Sequence, residues 1–171
     1  MKRAKQTGFT IVELLIVVVV IGILATIVIV SYSGAQSKAK DARRQNDVHI
    51  ISGALNLYKS ENFVYPTSSL NGPGGWETSS VNPSQFLLSL KTKNDLATIP
   101  VDPINTATKA YWYYRYDAGS YGCDVKKGGF FILGVLDMES TARPDAKSPG
   151  FSCPSRDWQT EFDWVTGGFE N

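Results

Sequence analysis

Near its amino terminus the chain reads GFTIVELLIVVVVIGILA, residues 8–25, and no charged residue falls between Leu14 and Val30. With the apolar residues on either side, this run reaches the roughly 20 residues that span a bilayer as an α-helix. It is longer than the apolar part of a cleaved secretory signal, and no Ala-x-Ala-like site follows it directly. We therefore predict a retained membrane anchor at residues 9–32.

The charges around this run predict which way it crosses the membrane. Lys2, Arg3 and Lys5 come before it, and a positively charged flank stays in the cytoplasm. We therefore expect a cytoplasmic amino terminus, with the chain after Tyr32 outside the cytoplasm. Over the whole sequence 17 Lys and Arg face 16 Asp and Glu, so there is no basic excess of the kind that binds many phosphates. The charge balance gives no support to nucleic acid as a partner.

Glu13 is a charge inside the apolar run, where an ionised carboxylate costs free energy. In one interpretation it lies a turn inside the membrane, reaches the interface and meets the positive end of the helix dipole. In the other, cleavage between Gly8 and Phe9 creates an amine at Phe9 that pairs with the carboxylate. The second interpretation would make Glu13 part of an assembly device.

The elements of this segment form a specific combination. A short basic leader ends in Gly8, the aromatic Phe9 follows, Glu13 stands fifth counting from Phe9, and a long apolar helix comes next. Together they strongly resemble the class III signal of type IV pilins and of type II secretion pseudopilins. The resemblance implies that a prepilin peptidase removes residues 1–8 as a leader peptide, that the amine of Phe9 is methylated, and that Glu13 serves filament assembly. Many family members carry a proline where this chain has Val30, so unwinding of the helix on assembly is less clearly encoded here.

Beyond the anchor the helical pattern continues over residues 33–61 and becomes amphipathic. Apolar residues recur at helical spacing, at Val48, Ile51, Leu55 and Tyr58. We expect the charged residues of the segment to form its exposed face: Lys38, Asp41, Arg44, Asp47 and Lys59. The helix should end near Glu61 and Asn62, ahead of Tyr65-Pro66.

The rest of the chain, residues 62–171, is expected to form a globular head that begins with an irregular loop. A short helix opens at Asn82-Pro83. Strands are predicted at Ala110–Tyr116 and at Phe130–Met138, the latter with Gly134 as a possible bulge. The tail from Ser140 onward reads as a loop with aromatic anchors. The fold class is therefore α+β, a long spine helix packed on a small antiparallel sheet, and the head resembles those of type IV pilins and pseudopilins.

The two cysteines, Cys123 and Cys153, lie outside any CxxC or Cys/His cluster that would suit zinc. In an extracytoplasmic head a disulfide between them is the expectation. The resemblance also raises calcium, which the major pseudopilin of type II secretion binds in its C-terminal loop. The tail region offers Asp137, Asp145, Asp157 and Asp163, but not at DxDxDG spacing. We predict no metal and no cofactor.

The sequence favours a structural protein over an enzyme, since it has a single His, no Ser/His/Asp set and no phosphate-cradling glycine loop. The leading hypothesis is a type IV pilin, polymerised into an extracellular filament for motility, adhesion or DNA uptake. The second is a pseudopilin of a type II secretion or DNA-uptake machine. The third is a membrane-anchored enzyme or binding module.

The resemblance also implies partners and a location. The chain would form a homopolymer, and its partners would be the prepilin peptidase, an assembly ATPase and an inner-membrane platform protein. We expect it in the cell membrane before assembly and in an extracellular filament afterwards.

Overall fold

The computed structural model describes residues 10–69, 72–93, 96–140, 143 and 145–171. It confirms the α+β class. A single helix, α1, runs from Ile11 to Asn62 and covers both the apolar and the amphipathic pattern. By its contacts the chain divides after Ser37 into two compact units, which are described in turn.

The first unit contains the apolar part of α1. Every large apolar side chain from Ile11 to Ile29 is exposed in the subunit, by between 48% and 85%. A monomer with such a surface is not stable in water, because an exposed apolar area of this size drives association or membrane insertion. The helix is long and apolar enough to cross a bilayer. The helix continues through Gly22 and Val30 without a break.

The second unit is built around a four-stranded antiparallel sheet, whose strands follow here in the order in which they lie side by side. These strands are Glu77–Thr78 (β1), Tyr111–Tyr116 (β2), Phe130–Val135 (β3) and Trp164–Phe169 (β6). A short helix, α2 (Leu88–Thr92), lies between β1 and β2 along the chain. Ser152–Cys153 (β4) and Arg156–Asp157 (β5) form a separate two-stranded ribbon in the tail.

The residues of the sheet belong to two hydrophobic clusters, because successive side chains of a strand point to opposite faces. One cluster joins α1 and the connection after it to alternate positions of β2 and β3: Val48, Ile51, Leu55, Tyr65, Tyr111, Tyr113, Phe131, Leu133 and Val135. The other joins the remaining positions to the tail: Trp76, Tyr116, Cys123, Phe130, Ile132, Cys153, Trp158, Phe162 and Val165. β3 supplies both clusters, and all of its residues are buried.

The tail contains more regular structure than the sequence predicts. β6 pairs with the whole of β3, from Phe130 opposite Phe169 to Val135 opposite Trp164. The loop-like interpretation of the tail was therefore wrong for this segment. Glycine has little strand propensity, so Gly167 obscures the strand pattern of this segment in the sequence. It is required there because a Cβ would lie 2.5 Å from the ring of Phe151.

Two smaller predictions also need correction. Gly134 is not a bulge, since it pairs in regular register with Trp112 and Val165. Glycine is needed at this position because a Cβ would lie 2.5 Å from the ring of Phe162. The helix expected to open at Asn82-Pro83 begins only at Leu88. The turn before it places Leu87 in the left-handed region, with a φ of 48°. A residue in that conformation interrupts a right-handed helix.

Candidate functional site

The amino end of α1 is closed by a reciprocal hydrogen-bonded cap between Thr10 and Glu13. The Glu13 carboxylate accepts from the Thr10 N–H at 2.8 Å and from its hydroxyl at 2.7 Å, and the Glu13 N–H donates back to that hydroxyl at 3.2 Å. This is a capping box, in which side chains satisfy backbone donors that the first helical turn leaves without partners. Glu13 therefore has a local role in starting the helix as well as the predicted role in assembly.

The side chains next to Glu13 are apolar and exposed in the subunit. Ile11, Val12 and Leu14 are 85%, 66% and 64% exposed. A carboxylate in such a surface becomes costly when the surface is covered by lipid or by another helix, unless a cation comes with the cover. Gly8 and Phe9 lie outside the described residues, so cleavage between them, methylation of Phe9 and pairing of its amine with Glu13 stay predictions.

The head holds a buried charge network around Arg44. The guanidinium is fully buried and contacts carboxylates from three parts of the chain. Its Nε donates to Asp102 at 2.6 Å, its Nη1 to Asp41 at 2.9 Å, and its Nη2 to Asp102 at 3.1 Å and to Glu139 at 3.3 Å. Lys109 extends the network through Glu139, at 3.1 Å. The network ties α1 to the loop before β2 and to the segment after β3.

Sequence reasoning was wrong about the polar face of α1. Asp41, Arg44 and Asp47 were expected to be solvated, but they are 4%, 0% and 7% exposed. Asp47 accepts a hydrogen bond from the buried Tyr111 hydroxyl at 2.7 Å. Each of these charges is buried because a partner distant in sequence reaches it, and hydropathy does not report such partners.

The pKa of the Asp41 carboxyl lies below its ordinary value of 3.8. Burial alone would raise this pKa, but hydrogen bonds from the Glu139 N–H, from the hydroxyl and N–H of Ser140 and from Arg44 outweigh burial. Burial is likewise outweighed at Glu139, whose pKa is lowered from 4.5 by Lys109 and then by Arg44. Both carboxylates are thus held in the ionised form.

These shifts predict acid sensitivity. A carboxyl whose folded pKa lies below its unfolded pKa binds fewer protons when folded, so it contributes stability above the unfolded value and loses it as pH falls. We expect the free energy of unfolding to drop as pH falls below about 5. In Asp41→Asn the protein should be less stable at pH 7, and its remaining acid dependence should be shallower. Urea unfolding of the full chain in detergent between pH 7 and pH 3 measures both.

The control for this prediction is Asp117→Asn, because the Asp117 side chain is 90% exposed. It should follow the unmodified protein across the same pH range. An Asp41→Asn variant with an unchanged slope would contradict the role given to Asp41.

A disulfide joins Cys123, which follows the turn Ser120–Gly122, to Cys153 in β4, with a Cα–Cα distance of 5.1 Å. Both cysteines are 8% exposed and belong to the cluster that contains Trp158. Backbone bonding supports the same contact, since the Ser155 N–H donates to the Tyr121 carbonyl at 3.1 Å. The bond holds the tail ribbon against the segment between β2 and β3.

We expect Cys123→Ser/Cys153→Ser to destabilise the head. The bond closes a loop with a sequence separation of 30, which in the chain-entropy model corresponds to at most about 3.6 kcal/mol. The loss should appear as a lower urea midpoint, and reduction of the unmodified protein by dithiothreitol should reproduce it. A double variant that is as stable as the unmodified chain and insensitive to dithiothreitol would contradict this prediction.

The four aspartates considered for calcium do not converge. Asp163 binds Arg143 at 2.8 Å and accepts the Met138 N–H at 2.8 Å. Asp145 and Asp157 accept backbone N–H groups within their own turns, and Asp137 faces Lys109. Among the described residues no group of three or more Asp, Glu, His or Cys could hold a metal ion. These residues do not fit a calcium cage, which needs several oxygen ligands around one point.

An apolar, exposed amino-terminal helix that continues into an α+β head defines a pilin-like protein. Comparison with known sequences agrees. Residues 3–29 match the family of the prokaryotic N-terminal methylation motif. The chain is 32% identical over 135 residues to the type II secretion system core protein G of Pseudomonas aeruginosa, an alignment that covers 75% of this chain and 92% of that protein. The chain belongs to the family of type II secretion system core protein G.

Other relatives match over shorter segments. The core protein G of Vibrio cholerae is 43% identical over 67 residues, which cover 39% of this chain and 46% of that protein. That of Escherichia coli is 38% identical over 65 residues, which cover 38% of this chain and 45% of that protein. The chain thus spans just under half the length of these two relatives. No solved structure gives a significant match. The resemblance inferred from Gly8, Phe9 and Glu13 is confirmed at the level of the family.

Proposed function

We propose that this chain is a pseudopilin of a type II secretion system, a structural subunit that polymerises from the membrane into a short filament. The observation that carries the proposal is the similarity to a type II secretion core protein over 92% of that protein's length. An alignment of this extent cannot be confined to the anchor, because the matched anchor motif ends at residue 29. The extent of the alignment favours the pseudopilin hypothesis over the hypothesis of a type IV pilin.

The apolar part of α1 has two uses in this proposal. It holds the precursor in the membrane with the head outside the cytoplasm, and it then forms the core of the filament. Transfer from lipid into a bundle of like helices exchanges one apolar medium for another, so burial gives little net drive. Work from an assembly ATPase, acting through an inner-membrane platform protein, would complete the step. The chain itself would catalyse nothing.

Processing prepares the amino end. A prepilin peptidase would cut between Gly8 and Phe9, and the methylated amine of Phe9 would then lie within reach of a carboxylate at Glu13. The partner could be the Glu13 of a neighbour or that of the same chain, since the two residues are four apart on a helix. The mature chain should therefore begin at methylated Phe9. Intact-mass analysis of protein from the native host measures this, and retention of residues 1–8 would contradict it.

Deletion of the gene distinguishes the pseudopilin from the pilin. If the chain is a pseudopilin, the deletion should leave secreted enzymes trapped in the cell envelope, and the chain expressed in its place should restore them to the medium. Long surface fibres that disappear on deletion, together with normal secretion, would instead favour the type IV pilin. If the deletion leaves both fibres and secretion unchanged but removes an enzymatic activity, the hypothesis of a membrane-anchored enzyme would be supported.

A further inference from the structure

Phe63 is a bulky residue in a position that favours glycine. It follows the last residue of α1, has a φ of 64°, and donates its N–H to the Lys59 carbonyl at 2.7 Å. Helices often end with a residue in this left-handed conformation, usually glycine, because a side chain is strained there. The side chain gains little packing in return, since 82% of it is exposed. A phenyl ring that is both strained and exposed points to a contact outside the subunit.

The same head carries a surface hollow of about 140 Å³ between the middle of α1 and the tail. Val48, Trp164 and Pro149 give it apolar walls. The rest of the lining is polar and consists of Gln45, Ser52, Thr166 and His49, which lies on the exposed side of α1. Benzene fills an apolar cavity of about 150 Å³ in another protein, so the volume suits one phenyl ring. The hollow and Phe63 lie about 14 residues apart along the helix, roughly 20 Å at 1.5 Å per residue. The ring cannot reach the hollow of its own chain.

We propose that Phe63 of one copy of this chain seats in the Val48–Trp164 hollow of the next copy. The inference rests on the proposed function, because copies anchored by the same apolar helix lie parallel. A two-fold axis parallel to the helices would keep Phe63 and the hollow at their different heights, about 20 Å apart. The contact therefore needs an axial shift between the copies and joins two different surfaces. Such a heterologous contact repeats without closing when a displacement accompanies each step, and it builds a filament. Each copy offers one ring and one hollow.

Cross-linking tests the contact directly. The full chain carrying His49→Cys and Val64→Cys keeps the Phe63 ring and places a thiol beside it, since Val64 is 43% exposed. This variant is assembled in membranes and treated with a short bismaleimide. The native Cys123 and Cys153 are joined to each other and do not react. We expect a covalent ladder of dimers, trimers and larger species, because every copy carries both halves of the contact. The control pair, His49→Cys with Val125→Cys, uses a position that is more exposed than Val64, at 64%, and should remain largely monomeric.

Each outcome decides the matter. Dimers without larger species would indicate a symmetric contact and overturn the proposal. Filaments that sediment normally but give no ladder would also overturn it, while leaving the pseudopilin function intact. An unmodified chain that never sediments as filaments would count against the function itself.

A second variant separates docking from folding. Phe63→Gly relieves the backbone strain, so the thermal midpoint of the detergent-extracted subunit should stay the same or rise. The yield of sedimented filaments should fall at least severalfold, and Phe63→Leu should retain most of it. If Phe63 mattered only for the fold, the thermal midpoint and the filament yield would change in the same direction. Normal filament yield from Phe63→Gly would overturn the proposal.

Discussion

Arg44→Met should remove about 3–5 kcal/mol from the free energy of unfolding, because it leaves the Asp41 and Asp102 carboxylates buried without their cation. A small domain has only about 5–15 kcal/mol of stability in total, so this loss is a large share of it. Methionine fills most of the volume of the arginine stem, which limits the cavity contribution. Urea unfolding of the full chain in detergent, followed by near-ultraviolet circular dichroism, gives the difference.

The adjacent residue provides the matched control. The Arg43 side chain is 58% exposed and its pair with Asp47 spans 3.6 Å. Surface pairs contribute about 0–1 kcal/mol, so Arg43→Met should be nearly neutral. Coupling gives a further check, since Arg44→Met with Asp102→Asn should cost less than the sum of the single changes. An Arg44→Met protein within about 1 kcal/mol of the unmodified chain would show that the network contributes little.

Glu13→Ala should leave membrane insertion and leader removal intact while lowering filament yield by roughly tenfold or more, because a close charge pair in an apolar interface is strong and its loss leaves a cation there unpaired. The proposed cation is the Phe9 amine. Sedimentation of sheared filaments measures the yield, and intact mass checks processing. Normal yield from a correctly processed Glu13→Ala protein would rule out the assembly role.

The capping box makes a second variant necessary. Glu13 also accepts two hydrogen bonds from Thr10, so Glu13→Ala removes a helix cap as well as a charge. Thr10→Val removes the hydroxyl and keeps the carboxylate. If docking is what matters, Thr10→Val filaments should form at close to the normal yield. Equal losses from both variants would assign the effect to the cap instead.

The sequence predicts those parts of the fold that depend on local pattern. The run after Glu13 is apolar on every side, and Val48, Ile51 and Leu55 recur at helical spacing, so α1 can be drawn from the sequence alone. The central strands are equally clear, because aromatic and β-branched residues fill Tyr111–Tyr116 and Phe130–Val135. The disulfide follows from the expected extracytoplasmic location of the head and from the presence of only two cysteines.

The remaining features depend on contacts between distant residues. Arg44 looks like a surface charge until Asp102 and Glu139 are brought to it, and only the Asp41–Arg44 spacing of three hints at the network. β6 contains Gly167, whose presence reflects a close neighbour rather than a local preference. Phe63 gives no signal in composition, because its interest lies in its φ and its exposure.

The two-sided packing of the sheet also determines how the head can be observed. Trp76, Trp112 and Trp158 all lie in or against the cluster formed by the tail, whereas Trp164 packs against the cluster on the α1 side. Indole fluorescence is therefore weighted toward one face of the sheet. A red shift in emission reports first on detachment of the tail, and it can precede any loss of the far-ultraviolet helical signal that α1 dominates. The intrinsic tryptophan fluorescence of the chain can therefore report whether the tail separates from the sheet before α1 unfolds.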